Sequence, residues 1–256
     1  MVVAAALAVL LAGLPLAATA AAYAAGRGRG ETAVKPLGAV GLACAFVREW
    51  LSVMALLIAW PLRLRAAADQ GATRRVAVFV PELHCSSAAF WYLRRRLGSL
   101  GWKGIAGLDH TWRSDVQRAI ADLDARLAGL PAGTELVFVG HGVGGLLAHR
   151  YAIARPALPV RHVITLGTPH RGSSALPYRL LGAALAPASS DARVDVIALY
   201  SDFDAWLQPI DDAYCAGAFN IAVSGIGHCA MLLSGRVADL IAENLAAPVL
   251  SRPASE

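Results

Sequence analysis

Two hydrophobic patterns divide the chain near residue 76. Before it, apolar positions run almost unbroken. Residues 2–25 carry no charge over 24 positions, enough to cross a bilayer as a helix. Alanine makes up about half of that run and Pro15 interrupts it, which weakens its insertion energy. The small residues around 18–25 would also suit signal-peptide cleavage, but no positive n-region precedes them, so a retained anchor is the expectation. A polar, basic linker (GRGRGETAVK) follows at 26–35. Residues 36–62 are apolar again, with Arg48 and Glu49 in their middle. A charged pair is costly at bilayer centre unless it is paired or snorkels. The segment therefore reads either as a second span with an internal ion pair or as an interfacial helix, with Trp50 and Trp60 at headgroup level.

After residue 76 the apolar blocks shorten and alternate between strand and helix periods, the signature of a parallel α/β sheet. Strands are predicted at 76–80, 105–108, 136–139, 160–166, 194–200 and 219–223. Helices are predicted at 90–100, 116–130, from 146 onward and at 237–245, with Ile120, Leu123 and Leu127 on one face of the second. A Pro/Gly/Ser-punctuated insert at about 168–190 contains an apolar helical piece at 180–185. The expected division is an N-terminal membrane-anchoring region, 1–75, and a folded domain, 76–250, whose insert forms a small cap.

Charge changes this picture by its position. The chain has 256 residues and a formal charge of +5. Before residue 76 there are eight basic and three acidic residues; after it, 15 of each. All of the excess lies beside the apolar N-terminus, where it favours anionic headgroups over nucleic acid. Arg63, Arg65, Arg74 and Arg75 just ahead of the domain favour a cytoplasmic face on a bacterial inner membrane. The four cysteines, Cys44, Cys85, Cys215 and Cys229, have no zinc or C-x-x-C spacing, so no metal or other cofactor is expected. Buried thiols are the favoured reading, with a Cys215–Cys229 pairing left open.

Residues 135–151, ELVFVGHGVGGLLAHRY, read as strand, glycine turn and helix, the geometry of a nucleophile elbow. Three further landmarks keep a consistent order: VAVFVPELHCSSAAFWYLRRRL, ITLGTPHRGSS, and then YSDFDAWLQP with GIGHCAML. On these motifs, residues 76–245 resemble the α/β-hydrolase superfamily, in particular bacterial lipases and esterases. The resemblance implies an α/β-hydrolase fold with a mostly parallel sheet of about six strands flanked by helices. It implies Asp204 as the acid, with Asp202 as an alternative, and His228 as the general base. Gly142 takes the nucleophile position, and Val143 with Glu82 or Leu83 supplies the oxyanion hole. His141 falls to elbow support, while His84, His110, His149, His162 and His170 belong to no constellation.

The chain departs from that pattern where the chemistry is most demanding. Gly142 stands where lipases have serine, so no acyl-enzyme can form on the elbow. Pro81 and Glu82 replace a His-Gly pair, and a carboxylate beside a developing oxyanion opposes its stabilisation. Cys85, Ser86, Ser87, Ser173 and Ser174 lie off the elbow and read as loop residues. The expected function is a membrane-anchored pseudohydrolase of the lipase/carboxylesterase type that binds a lipid or acyl ligand. The alternatives are an ester hydrolase with a displaced nucleophile or water activated by His228 and Asp204, and a non-enzymatic membrane interaction module.

Overall fold

Strands that are apolar on both faces need a helical layer on each side, and the arrangement of the chain supplies both. The computed structural model describes residues 38–62, 74–82, 85–108, 116–172, 194–204, 206–207 and 210–246. In chain order the elements are α1 (Ala39–Ala59), β1 (Arg75–Val80), α2 (Trp91–Gly98), β2 (Lys103–Ala106), α3 (Val116–Leu127), β3 (Glu135–His141), α4 (Val143–Ala154), β4 (Val160–Leu166), β5 (Val196–Ser201), β6 (Phe219–Val223) and α5 (Gly235–Ala246). The six strands form one sheet in the order β2-β1-β3-β4-β5-β6, every neighbouring pair parallel. This is the doubly covered α/β sheet expected from the pattern.

Alternation along β1 and β3 builds two core layers. Val76, Val78, Val80, Leu136 and Phe138 pack against Leu123 and Leu127 of α3 and Leu147 and Tyr151 of α4. Ala77, Phe79, Val137 and Val139 face the other way, onto Leu93 and Leu97 of α2 and Val237 and Ile241 of α5. Strand β2 starts two residues before its predicted place. Its Gly104 has no side chain to extend the apolar pattern, yet a Cβ there would lie 2.7 Å from the Phe79 ring. Packing, not hydrophobicity, places that strand.

Helix α1 is long and apolar enough to cross a membrane, the one such helix among the described residues. Its charged pair nevertheless turns onto the domain. Glu49 is 1% exposed, and its two carboxylate oxygens accept the N–H groups of Cys229 (2.9 Å) and Ala230 (2.8 Å). Arg48 donates to the Gly225 carbonyl at 3.4 Å. Beyond the helix, the Leu62 carbonyl accepts the Ser86 hydroxyl. Val40, Val47, Leu51, Ile58 and Trp60 remain exposed. The domain thus supplies partners for a charged pair that, on sequence, needed either an internal ion pair or an interface. The apolar run 2–25, the linker, Arg63 and Arg65 lie outside the described residues, as do Leu83 and 173–193 of the insert.

Candidate active site

Parallel strands bring the loops after β1, β3, β5 and β6 to one edge, the carboxyl edge where open α/β sheets bind ligands. The loop after β5 makes a tight turn in which Ser201 Oγ accepts the Phe203 N–H at 3.0 Å. That turn carries Asp204, 1% exposed. Asp204 Oδ1 accepts the N–H groups of Trp206 (2.9 Å) and Leu207 (3.1 Å), and Oδ2 lies 2.7 Å from His228 Nδ1. Asp202 serves a different purpose. Its oxygens accept Gly225 N–H and the Ser224 hydroxyl, each at 2.8 Å, and brace the turn after β6. Of the two acids, Asp204 faces the imidazole.

His228 is held from three sides. Its carbonyl accepts His141 Nε2–H at 3.1 Å, with the two rings 4.2 Å apart. Glu49 binds the two N–H groups that follow it. Two glycines make room for this assembly. A Cβ on Gly167 would lie 2.7 Å from Asp204 Oδ2 and 2.8 Å from His228 Nδ1, and one on Gly227 would overlap the Glu49 carboxylate. Sequence reasoning missed Glu49, Gly167 and Gly227. The one legible signal was a charged residue in an apolar helix, and a bilayer accounted for it equally well.

The nucleophile position lies between β3 and α4. Gly142 adopts φ 53° and ψ −125°, a strained region that costs a side-chain-bearing residue ~1–3 kcal/mol. The room a side chain would need is already filled. A Cβ on Gly142 would overlap Glu82 Oε2 and stand 2.6 Å from Glu82 Cδ. The same Oε2 accepts the Val143 N–H at 3.1 Å and lies 3.8 Å from His228 Nε2. Val143 opens α4, so the carboxylate rests at a helix N-terminus, where exposed N–H groups and the helix dipole favour an anion. Glu82 therefore meets the site through its side chain, where the sequence suggested a backbone donor.

The charges set the protonation states. Burial alone would lower the His228 pKa, but the charge and hydrogen bond of Asp204, joined by Glu82, outweigh it and raise the pKa to about 10. Burial, then the positive charge of His228, lowers His141 to about 4. The two shifts favour the charged form of His228 beside the neutral form of His141. Cys85 offers no thiolate, because burial and then the Glu82 charge push it up to about 12. Ser86 accepts the Ala88 N–H and donates to Leu62, a capping role. All four cysteines are free, so Cys215 and Cys229 are not paired.

No protein-family model matches the chain, and no curated protein sequence does. Solved structures do match it. Lipase B of Aspergillus fumigatus superposes with a TM-score of 0.53 at 14% identity, over 72% of this chain and 55% of the fungal one. The chain thus spans only about half the length of that lipase. A thermophilic esterase of Thermogutta terrifontis gives 0.52 at 16% identity, over 67% of this chain and 89% of its own. A carboxylesterase of the thaumarchaeon Nitrososphaera gargenis gives 0.50 at 14%, over 67% and 90%. The class that these likenesses define is the α/β-hydrolase fold.

Proposed function

We propose that this is a membrane-associated, lipase/esterase-like protein that has lost serine-type ester hydrolysis and binds a lipid or acyl ligand at its former active site. The carrying observation is the Glu82 carboxylate lodged over Gly142 on the Val143 N–H. It speaks against each requirement of the ancestral chemistry. No hydroxyl stands at the elbow to attack a carbonyl. The N–H that would stabilise an oxyanion already binds an anion. A general base must be unprotonated to act, and Asp204 and Glu82 raise the His228 pKa, which works against that form. An acyl carbonyl or carboxylate would reach this N–H by displacing Glu82. The apolar outer face of α1 and the basic residues that follow it support attachment to an anionic membrane surface. By the positive-inside rule those arginines favour the cytoplasmic side.

A fluorophosphonate probe, a p-nitrophenyl ester panel and mass spectrometry of co-purified lipid test this reading. The wild type should remain unlabelled, turn over at background rate and carry acyl lipid. Turnover abolished by His228→Ala would overturn the loss of hydrolysis. Absence of any bound lipid would leave only a non-enzymatic interaction module.

One observation favours a second reading: Glu82, His228 and Asp204 form a continuous line of acid, imidazolium and acid. In that scheme a Glu82 oxygen attacks an ester carbonyl, and His228 gives its Nε2 proton to the departing alcohol. Water then attacks the Glu82 carbonyl carbon of the mixed anhydride and releases the acyl carboxylate, so the water oxygen stays in Glu82. Single turnover in ¹⁸O-water would leave label in Glu82 if this occurs, and none if it does not.

A further inference from the structure

Three residues that sequence spacing left apart are brought together away from the His228 centre. His149 lies on α4, His170 in the segment after β4, and Cys215 in the turn after the 3-10 helix Ile210–Ala213. One potential ligand atom from each lies within 4.8 Å of the others, and all three residues are buried. Their exposures are 1%, 6% and 4%. The imidazoles meet edge-on, with centroids 5.9 Å apart, and Cys215 packs in the core layer that contains α4.

Two imidazoles and a thiol form a borderline-soft donor set suited to zinc. Bonds of ~2.0–2.1 Å to nitrogen and ~2.3 Å to sulfur place tetrahedral ligand atoms roughly 3.3–3.7 Å apart. With its ligand atoms within 4.8 Å of one another, the cluster is at most about 1 Å wider than a loaded site. Thr165 supplies a second contact, its hydroxyl 2.9 Å from His170 Nε2. If Nε2 carries the proton toward Thr165, Nδ1 presents the lone pair, the tautomer control that ligating histidines require.

We propose that His149, His170 and Cys215 bind one Zn²⁺ ion, with water completing the tetrahedron. Binding replaces the Cys215 thiol proton, so one proton is released as the sulfur–metal bond forms. The ion would tie α4 to the segment that leads into the insert and to the loop between β5 and β6. This site stands independently of the hydrolase reading, because it shares none of Glu82, Asp204 and His228.

The test uses the reduced full-length protein, stripped of metal, with Zn²⁺ titrated against a chromophoric chelator and Co²⁺ followed by absorption. One equivalent should bind, and Co²⁺ should show tetrahedral d–d bands with thiolate charge transfer. Cys215→Ser should abolish that charge transfer and weaken Zn²⁺ by ~100-fold or more, and Thr165→Val by ~10-fold. Cys44→Ser, at an exposed cysteine, should change neither. Substoichiometric Zn²⁺, or wild-type Co²⁺ spectra without thiolate charge transfer, would overturn the proposal and leave Cys215 as a packing residue. Because X-ray absorption on the wild-type zinc form counts one sulfur and two imidazoles directly, a misfolded variant does not blunt the test.

Discussion

The two halves of the site have fared differently. On the acid–histidine side every polar group has a partner: Asp204 binds two backbone N–H groups and the imidazole, Glu49 binds two more, and Gly167 and Gly227 leave the space these contacts need. On the elbow side Gly142 carries no side chain, and the Glu82 carboxylate of the neighbouring loop fills the room that one would need. The contrast follows from what each half holds together. Removing a buried acid strands several donors at once. Exchanging an elbow serine for glycine relieves backbone strain and strands nothing.

Breaking the well-supported half should have the largest effect. Asp204→Ala strands the imidazolium and two N–H groups, and urea denaturation should show a loss of about 3–5 kcal/mol. Glu49→Ala orphans two N–H groups in the histidine turn, each worth ~1–3 kcal/mol, so a loss of at least ~2 kcal/mol is expected in the same assay. If Glu49→Ala proved neutral, the docking of α1 would have no part in holding His228.

The other half should yield to repair. Gly142→Ser alone should destabilise by ~1–3 kcal/mol from backbone strain, with the Glu82 overlap added. Glu82→Gly should remove that overlap, giving a favourable coupling of ~1–3 kcal/mol in a double-mutant cycle. Fluorophosphonate labelling should then appear in the double variant alone.

A pH dependence follows as well. His228 has a folded pKa of about 10 against an ordinary 6.5, so the folded state binds the extra proton between those values. That contribution to stability is complete below pH 6.5 and declines as pH rises to about 10. Thermal melts should show Tm falling across this window. Glu82→Gln removes one raising charge, so its decline should end at lower pH.

The sheet was largely legible in the sequence, because strands buried on both faces leave short apolar blocks between glycine turns. Asp204 and His228 were legible through chain order. Glu82 was visible as a misfit, but its role depends on a side chain reaching across to Val143, which no spacing encodes. Glu49 was read as a membrane residue because its partners lie 180 and 181 positions away. The proximity of His149, His170 and Cys215 was not legible for the same reason, since three unrelated segments carry no shared period.

That long separation also bears on the order of events during synthesis. Helix α1 is among the first described segments to leave the ribosome, and the turn at Cys229 and Ala230 among the last. Contacts so distant in sequence carry a large loop-closure cost and form late in folding. Until then α1 is an apolar helix with an unanswered carboxylate, long enough to enter a bilayer. Completion of the histidine turn gives that carboxylate its two backbone partners and fastens the helix to the domain.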